Sequence, residues 1–234
     1  MSTEKRILFI RGFNTSINNN LTKYTYIQFD NVFLTSNINC KYFDYDSYED
    51  LEDVYKRLCN EIESNIYDVY CAHSMGGGLL MRYCCENPMM DECKQHKIIL
   101  MMPLIYINPL FSRIINILPN WLSIPKALLL PNNFLFETGN MLNDNYYFTP
   151  IKQVKQMNEF IDDFQDNMIQ SDILKKNNLH LIYANEEIFT LIPSYIISMI
   201  KNFHRVNGKH ECFNENENSN IFFKVFLSII NDKP

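Results

Sequence analysis

The chain has 234 residues, 47% of them hydrophobic and 21% charged, with a formal net charge of −6. This is the composition of a folded globular protein rather than a disordered one, and the length suffices for one substantial core. Lys and Arg total 21 against 27 acidic residues and form no cluster that would track phosphates, which excludes nucleic acid as a partner.

The opening MSTEKRILFIRGF sets charges before an apolar run confined to residues 7–10, too short for the apolar centre of a secretion signal. The most apolar stretch, 101–130, is broken by Pro103, Pro109, Pro119 and Pro125 and carries Arg113 and Lys126. A membrane-crossing helix needs about 20 apolar residues without such breaks. Seven cysteines, an odd number with no CxxC pair, indicate reduced thiols and a cytoplasmic location. Cys93 and His96 have the spacing of one edge of a metal site, but no second ligand pair accompanies them.

In chain order, residues 6–10 predict a strand that runs into the turn Arg11-Gly12-Phe13-Asn14. Residues 14–39 are ambiguous between helix and strand. Residues 40–45 alternate aromatic and polar side chains, a second strand. Over 48–66 the residues Leu51, Val54, Tyr55, Leu58 and Ile62 fall three and four apart after an acidic start, which predicts an amphipathic helix. A buried-type strand follows over 68–72, then His73-Ser74-Met75-Gly76-Gly77-Gly78, an apolar helix over 79–85, and a strand over 97–102.

Between 103 and 178 the alternation stops. This stretch holds the single tryptophan, Trp121, and a long helix announced by Thr149-Pro150, with Ile151, Val154, Met157, Phe160, Ile161 and Phe164 as its apolar stripe. A helical turn over 171–176 leads into a strand over 179–184. Then come a helix over 193–201, a short strand over 203–206 and a final helix over 220–230. Strands alternating with helices imply a mostly parallel sheet flanked by helices on both faces. The division expected is a core of 1–102 and 179–234 with a cap inserted over 103–178.

Ala72-His73-Ser74-Met75-Gly76 sits where a strand turns sharply into a helix. Such a turn strains the central residue and lifts its hydroxyl above the sheet edge, and small residues two positions either side keep the turn free of collisions. The helix N-terminus behind Ser74 supplies N–H groups and a positive dipole end for a developing oxyanion. A phosphate loop would need a Gly-Lys-Ser/Thr sequence, and no lysine is present.

The run YCAHSMGGGLLMRY resembles the nucleophile elbow of serine hydrolases of the α/β-hydrolase superfamily. ILFIRGFN is similar to that family's first core strand and oxyanion loop, VNGKHECFNE to its histidine loop, and the order of elements matches over nearly the whole chain. The resemblance implies an α/β-hydrolase fold with a helical cap and makes Ser74 the nucleophile. A serine hydroxyl needs a base of near-neutral pKa. His210, in the loop before the final helix, matches the family's catalytic histidine. His73 reads as a packing residue, while His96, His180 and His204 fall at the wrong end of a parallel sheet.

By the same resemblance the acid lies in Asn185-Glu186-Glu187, with Glu186 favoured and Glu187 the alternative; the family's usual residue is Asp. The oxyanion donors expected are the backbone amides of Met75 and Phe13. Arg11-Gly12 departs from the His-Gly common in the family. No cofactor is implied. The substrate expected is a small ester or thioester with a hydrophobic acyl group, because residues 104–145 are crowded with apolar side chains; the alternative is that these merely pack the insertion. Contact with a lipid interface through them is a further expectation. Two rival functions remain open: a catalytically silent fold that binds a ligand or partner, and an acyltransferase.

Overall fold

An apolar run without alternation marks a strand covered on both faces. β1 (Lys5–Ile10) is such a strand, its last four side chains fully buried. The computed structural model describes residues 4–13, 26–46, 49–87, 96–125, 148–187, 190–214 and 218–232. After β1 come β2 (Ile38–Phe43), β3 (Val69–His73) and β4 (Lys97–Met101), a two-stranded antiparallel pair of β5 (Ser123–Pro125) and β6 (Phe148–Pro150), and finally β7 (Leu179–Ala184) and β8 (Asn202–Val206). Six of them form one sheet in the order β2-β1-β3-β4-β7-β8, and each pairing is parallel. The parallel sheet flanked by helices is therefore present. The carboxyl ends of all six strands share one edge, where the loops of open α/β sheets build their sites.

Seven α-helices accompany the strands among the described residues: α1 (Ile27–Thr35), α2 (Leu51–Ser64), α3 (Met75–Glu86), α4 (Pro109–Ile117), α5 (Ile151–Gln170), α6 (Ser194–Met199) and α7 (Asn218–Asn231). α2 forms where the three-and-four spacing predicts it, and Leu51, Val54, Tyr55, Leu58 and Ile62 are all buried. Asp50 caps it, accepting the backbone N–H of Glu52 at 3.0 Å and of Asp53 at 3.4 Å. α2, α3, α5 and α6 cover one face of the sheet. α1 and α7 cover the other, where Phe9, Phe29, Phe33, Phe213, Phe222 and Phe226 pack edge to face and stacked.

The ambiguous stretch resolves into α1 and β2, while residues 14–25 lie outside the described residues. β2 covers 38–43 rather than 40–45, because its register with β1, from Lys5 opposite Ile38 to Ile10 opposite Phe43, ends both strands together. The long helix starts at Ile151 and not at Pro150, since Pro150 is held in the β5–β6 pair. α5 packs into the body of the molecule: Phe160, Ile161, Phe164 and Met168 belong to the main core. Arg82 of α3 lies 4.6 Å from the ring centroids of both Tyr55 and Phe160, tying α2, α3 and α5 together. No helix among the described residues is long and apolar enough to cross a membrane.

Candidate active site

Ser74 joins β3 to α3 with φ 53° and ψ −122°, a region that non-glycine residues enter at a cost of about 1–3 kcal/mol. Its neighbours hold it there. The Ser74 N–H donates to the Met101 carbonyl (3.1 Å), and the Ser74 carbonyl accepts from Gly77 (2.9 Å) and Leu104 (2.8 Å). Although Ser74 is the N-cap of α3, its hydroxyl makes no capping bond, so the helix does not consume that oxygen. The Met75 amide opens α3 directly behind it.

Small residues make the turn possible. A Cβ on Gly76 would lie 2.5 Å from the Arg11 carbonyl oxygen and 2.6 Å from that of Ile10. Backbone cannot yield as a side-chain tip can. Gly76→Ala is expected to destabilise the fold by about 3 kcal/mol, lowering the thermal midpoint by roughly 6–10 °C. Circular dichroism melting checks this, and an unchanged midpoint refutes it.

The loop after β1 closes on the same point. A Cβ on Gly12 would meet Ser74 Cβ at 3.2 Å, His73 Nδ1 at 3.1 Å and the Tyr26 hydroxyl at 3.3 Å, so this backbone lies directly beside the serine. Phe13 follows, half-buried and packed on the main core. Arg11 turns the other way: it is buried, its guanidinium 4.8 Å from the Tyr26 ring and 5.3 Å from the Tyr42 ring, with Nη1 3.6 Å from Asp44 Oδ1. The departure at Arg11 is thus absorbed by an aromatic slot at the sheet edge.

His210 Nδ1 lies 2.8 Å from Glu187 Oε2. The Glu187 side chain is wholly buried, and its Oε1 accepts the Thr190 N–H at 3.0 Å. Thr190 in turn donates its hydroxyl to the Met102 carbonyl at the end of β4 (3.1 Å). The favoured Glu186 is not the carboxylate at His210: its side chain is exposed, and its backbone N–H donates to the Gly208 carbonyl (3.0 Å). That bond and the one from Gly208 N–H to Asn185 Oδ1 (3.1 Å) pin the two loops together, turning residue 186 outward and residue 187 inward.

His73 is more than packing. It is buried, with Nδ1 2.9 Å from the Tyr26 hydroxyl and Nε2 3.2 Å from the His210 carbonyl, and its ring centroid is 4.7 Å from that of His210. The β3 alternation carries the signal for this, since Val69, Cys71 and His73 share the face that packs against α1 and α7. Tyr26 carries no motif that would single it out, and Asn185 and Thr190 flank the two glutamates with no signal of their own role. Of the other histidines, His180 lies within β7 and His204 within β8, and the two rings stack on each other (centroids 5.5 Å). Burial pushes the His180 pKa down to about 4, helped by the neighbouring His204. His96 Nδ1 bonds to the Tyr67 carbonyl, while Cys93 lies outside the described residues.

Neither a protein-family model nor a curated protein sequence matches the chain. Solved structures do match. A monoacylglycerol lipase from Paleococcus ferrophilus superposes with a TM-score of 0.61 at 15% identity, covering 95% of this chain and 92% of that one. A soluble variant of monoglyceride lipase from Saccharomyces cerevisiae, solved with a substrate analogue, gives 0.65 at 15% identity over 97% and 87%. A metagenome-derived lipolytic enzyme from work on LipS and LipT gives 0.66 at 10% identity over 98% and 95%. At these identities the likeness is one of fold.

Proposed function

We propose that this chain, which has the α/β-hydrolase fold, is a serine hydrolase that cleaves a carboxylic ester or thioester through an acyl-enzyme on Ser74. The observation that carries the reading is the strained Ser74 at the strand-to-helix elbow, with the His210–Glu187 pair held against His73, the residue next to it. In this reading His210 takes the Ser74 proton as the hydroxyl oxygen attacks the acyl carbonyl. The amides of Met75 and Phe13 receive the oxyanion. The imidazolium then protonates the leaving group, and water, deprotonated by the same imidazole, releases the acid and restores the hydroxyl. Glu187, with Nδ1–H donating to it, keeps the imidazole in the tautomer whose Nε2 can accept.

In this reading the cap is drawn from residues 103–178, with α5 of that stretch anchored in the main core. Supporting a hydrophobic acyl group and contact with a lipid interface, Leu110, Ile114 and Ile117 of α4 and Trp121 beyond it are exposed apolar side chains. Three of the structural neighbours described above act on lipids by their names. The free cysteines support a cytoplasmic location: Cys40, Cys59, Cys71, Cys84, Cys85 and Cys212.

A fluorophosphonate probe tests the chemistry: the phosphonyl group is expected on the peptide that contains Ser74, located by mass spectrometry. A probe that never attaches, or attaches elsewhere, defeats the reading. A series of p-nitrophenyl esters tests the acyl preference, with kcat/KM expected to rise about tenfold from acetate to octanoate as apolar surface is buried. Preference for acetate alone defeats the hydrophobic pocket.

A further inference from the structure

We propose that His73 and Tyr26 are positioning residues for that reaction, joining the oxyanion loop to the histidine loop through one directed chain of hydrogen bonds. The inference rests on the serine-hydrolase reading. Four groups take part: the Gly12 N–H is 2.9 Å from the Tyr26 hydroxyl, that hydroxyl is 2.9 Å from His73 Nδ1, and His73 Nε2 is 3.2 Å from the His210 carbonyl.

The direction of each bond follows from what each group can do. A carbonyl oxygen only accepts, so His73 Nε2 must carry a hydrogen. In a neutral imidazole Nδ1 then has none and accepts the Tyr26 O–H. The Tyr26 oxygen is left to accept from Gly12, whose N–H can only donate. Burial, with His210 alongside, depresses the His73 pKa well below its ordinary value and keeps the ring neutral, as the chain requires. The ring itself is clamped edge-on by Phe213 (5.1 Å) and Tyr26 (5.8 Å).

Its two ends make the chain functional. Gly12 immediately precedes the proposed donor Phe13 and lies against Ser74, and the His210 carbonyl belongs to the proposed base. A shift of either loop by a fraction of an ångström would misplace a group needed only as charge develops, so the effect belongs in kcat and not in KM.

The test compares the wild type with Tyr26→Phe, His73→Leu and the double variant on p-nitrophenyl acetate, each rate divided by the concentration of fluorophosphonate-reactive sites. Tyr26→Phe is expected to lower kcat about tenfold with KM within about twofold. The double variant should fall little further than the worse single one, because breaking either link breaks the chain. A kcat per reactive site within about twofold of wild type in Tyr26→Phe overturns the proposal and leaves a merely structural contact, as does a double variant whose loss is the product of the two single losses. A wild type that never reacts with the probe sinks the hydrolase reading itself and the positioning role with it. Should the variants fail to fold, the wild type still decides: long-range nitrogen–proton NMR at pH 7 is expected to show His73 neutral and protonated at Nε2. A proton at Nδ1, or on both nitrogens, overturns the chain.

Discussion

Ser74→Ala is expected to lower kcat on an activated ester by about a millionfold while leaving the thermal midpoint unchanged or slightly raised. In the proposed mechanism the loss is large because the residues of the turn, 72–76, hold no other hydroxyl, and the residual rate is what the proposed oxyanion donors and binding would give without a nucleophile. The stability side follows from the backbone. Ser74 has φ 53°, and alanine suffers the same strain there, but the Ser74 hydroxyl makes no helix-capping bond to lose. Steady-state kinetics and a melting curve on one preparation check both halves. Turnover within tenfold of wild type would dismiss Ser74 as nucleophile.

Glu187→Gln is expected to lower kcat by about ten-thousandfold, whereas Glu186→Gln stays within about twofold of wild type. The amide keeps the size of the carboxyl group and can still accept from the Thr190 N–H through its oxygen, so the loop should hold its shape. What remains to face His210 Nδ1 is then an NH2 group. It donates, forces the imidazole proton onto Nε2, and removes the acceptor that the proposed mechanism requires for the Ser74 proton. The adjacent pair is an internal control, since both substitutions remove one negative charge from the same loop. Equal losses at the two positions, or a larger one at 186, would assign the acid differently from the geometry.

That pair also marks where reading along the chain gives out. An apolar run over 7–10 named β1, a three-and-four spacing named α2, and small residues between strand and helix named the sharp turn at Ser74, because each is decided by near neighbours. Which of two consecutive glutamates points inward is decided by Gly208 and Asn185, and Gly208 is more than twenty residues away along the chain. The same distance hid Tyr26, whose hydroxyl meets a histidine 47 positions further on. His73 was half legible. Strand alternation assigns it the face it occupies, yet nothing local says that its ring reaches Tyr26 on one side and the His210 loop on the other. α1 stayed ambiguous because its two buried side chains, Phe29 and Phe33, are too few to impose a period.

The placement of α5 limits how a substrate can gain entry. Swinging the whole insertion away as one hinged flap would extract Phe160, Ile161, Phe164 and Met168 from the interior. At about 2 kcal/mol for each apolar side chain, that is roughly 8 kcal/mol, comparable with the entire margin that keeps a domain folded. If the proposed reaction is right, α5 therefore stays seated as a fixed doorpost while substrate reaches Ser74.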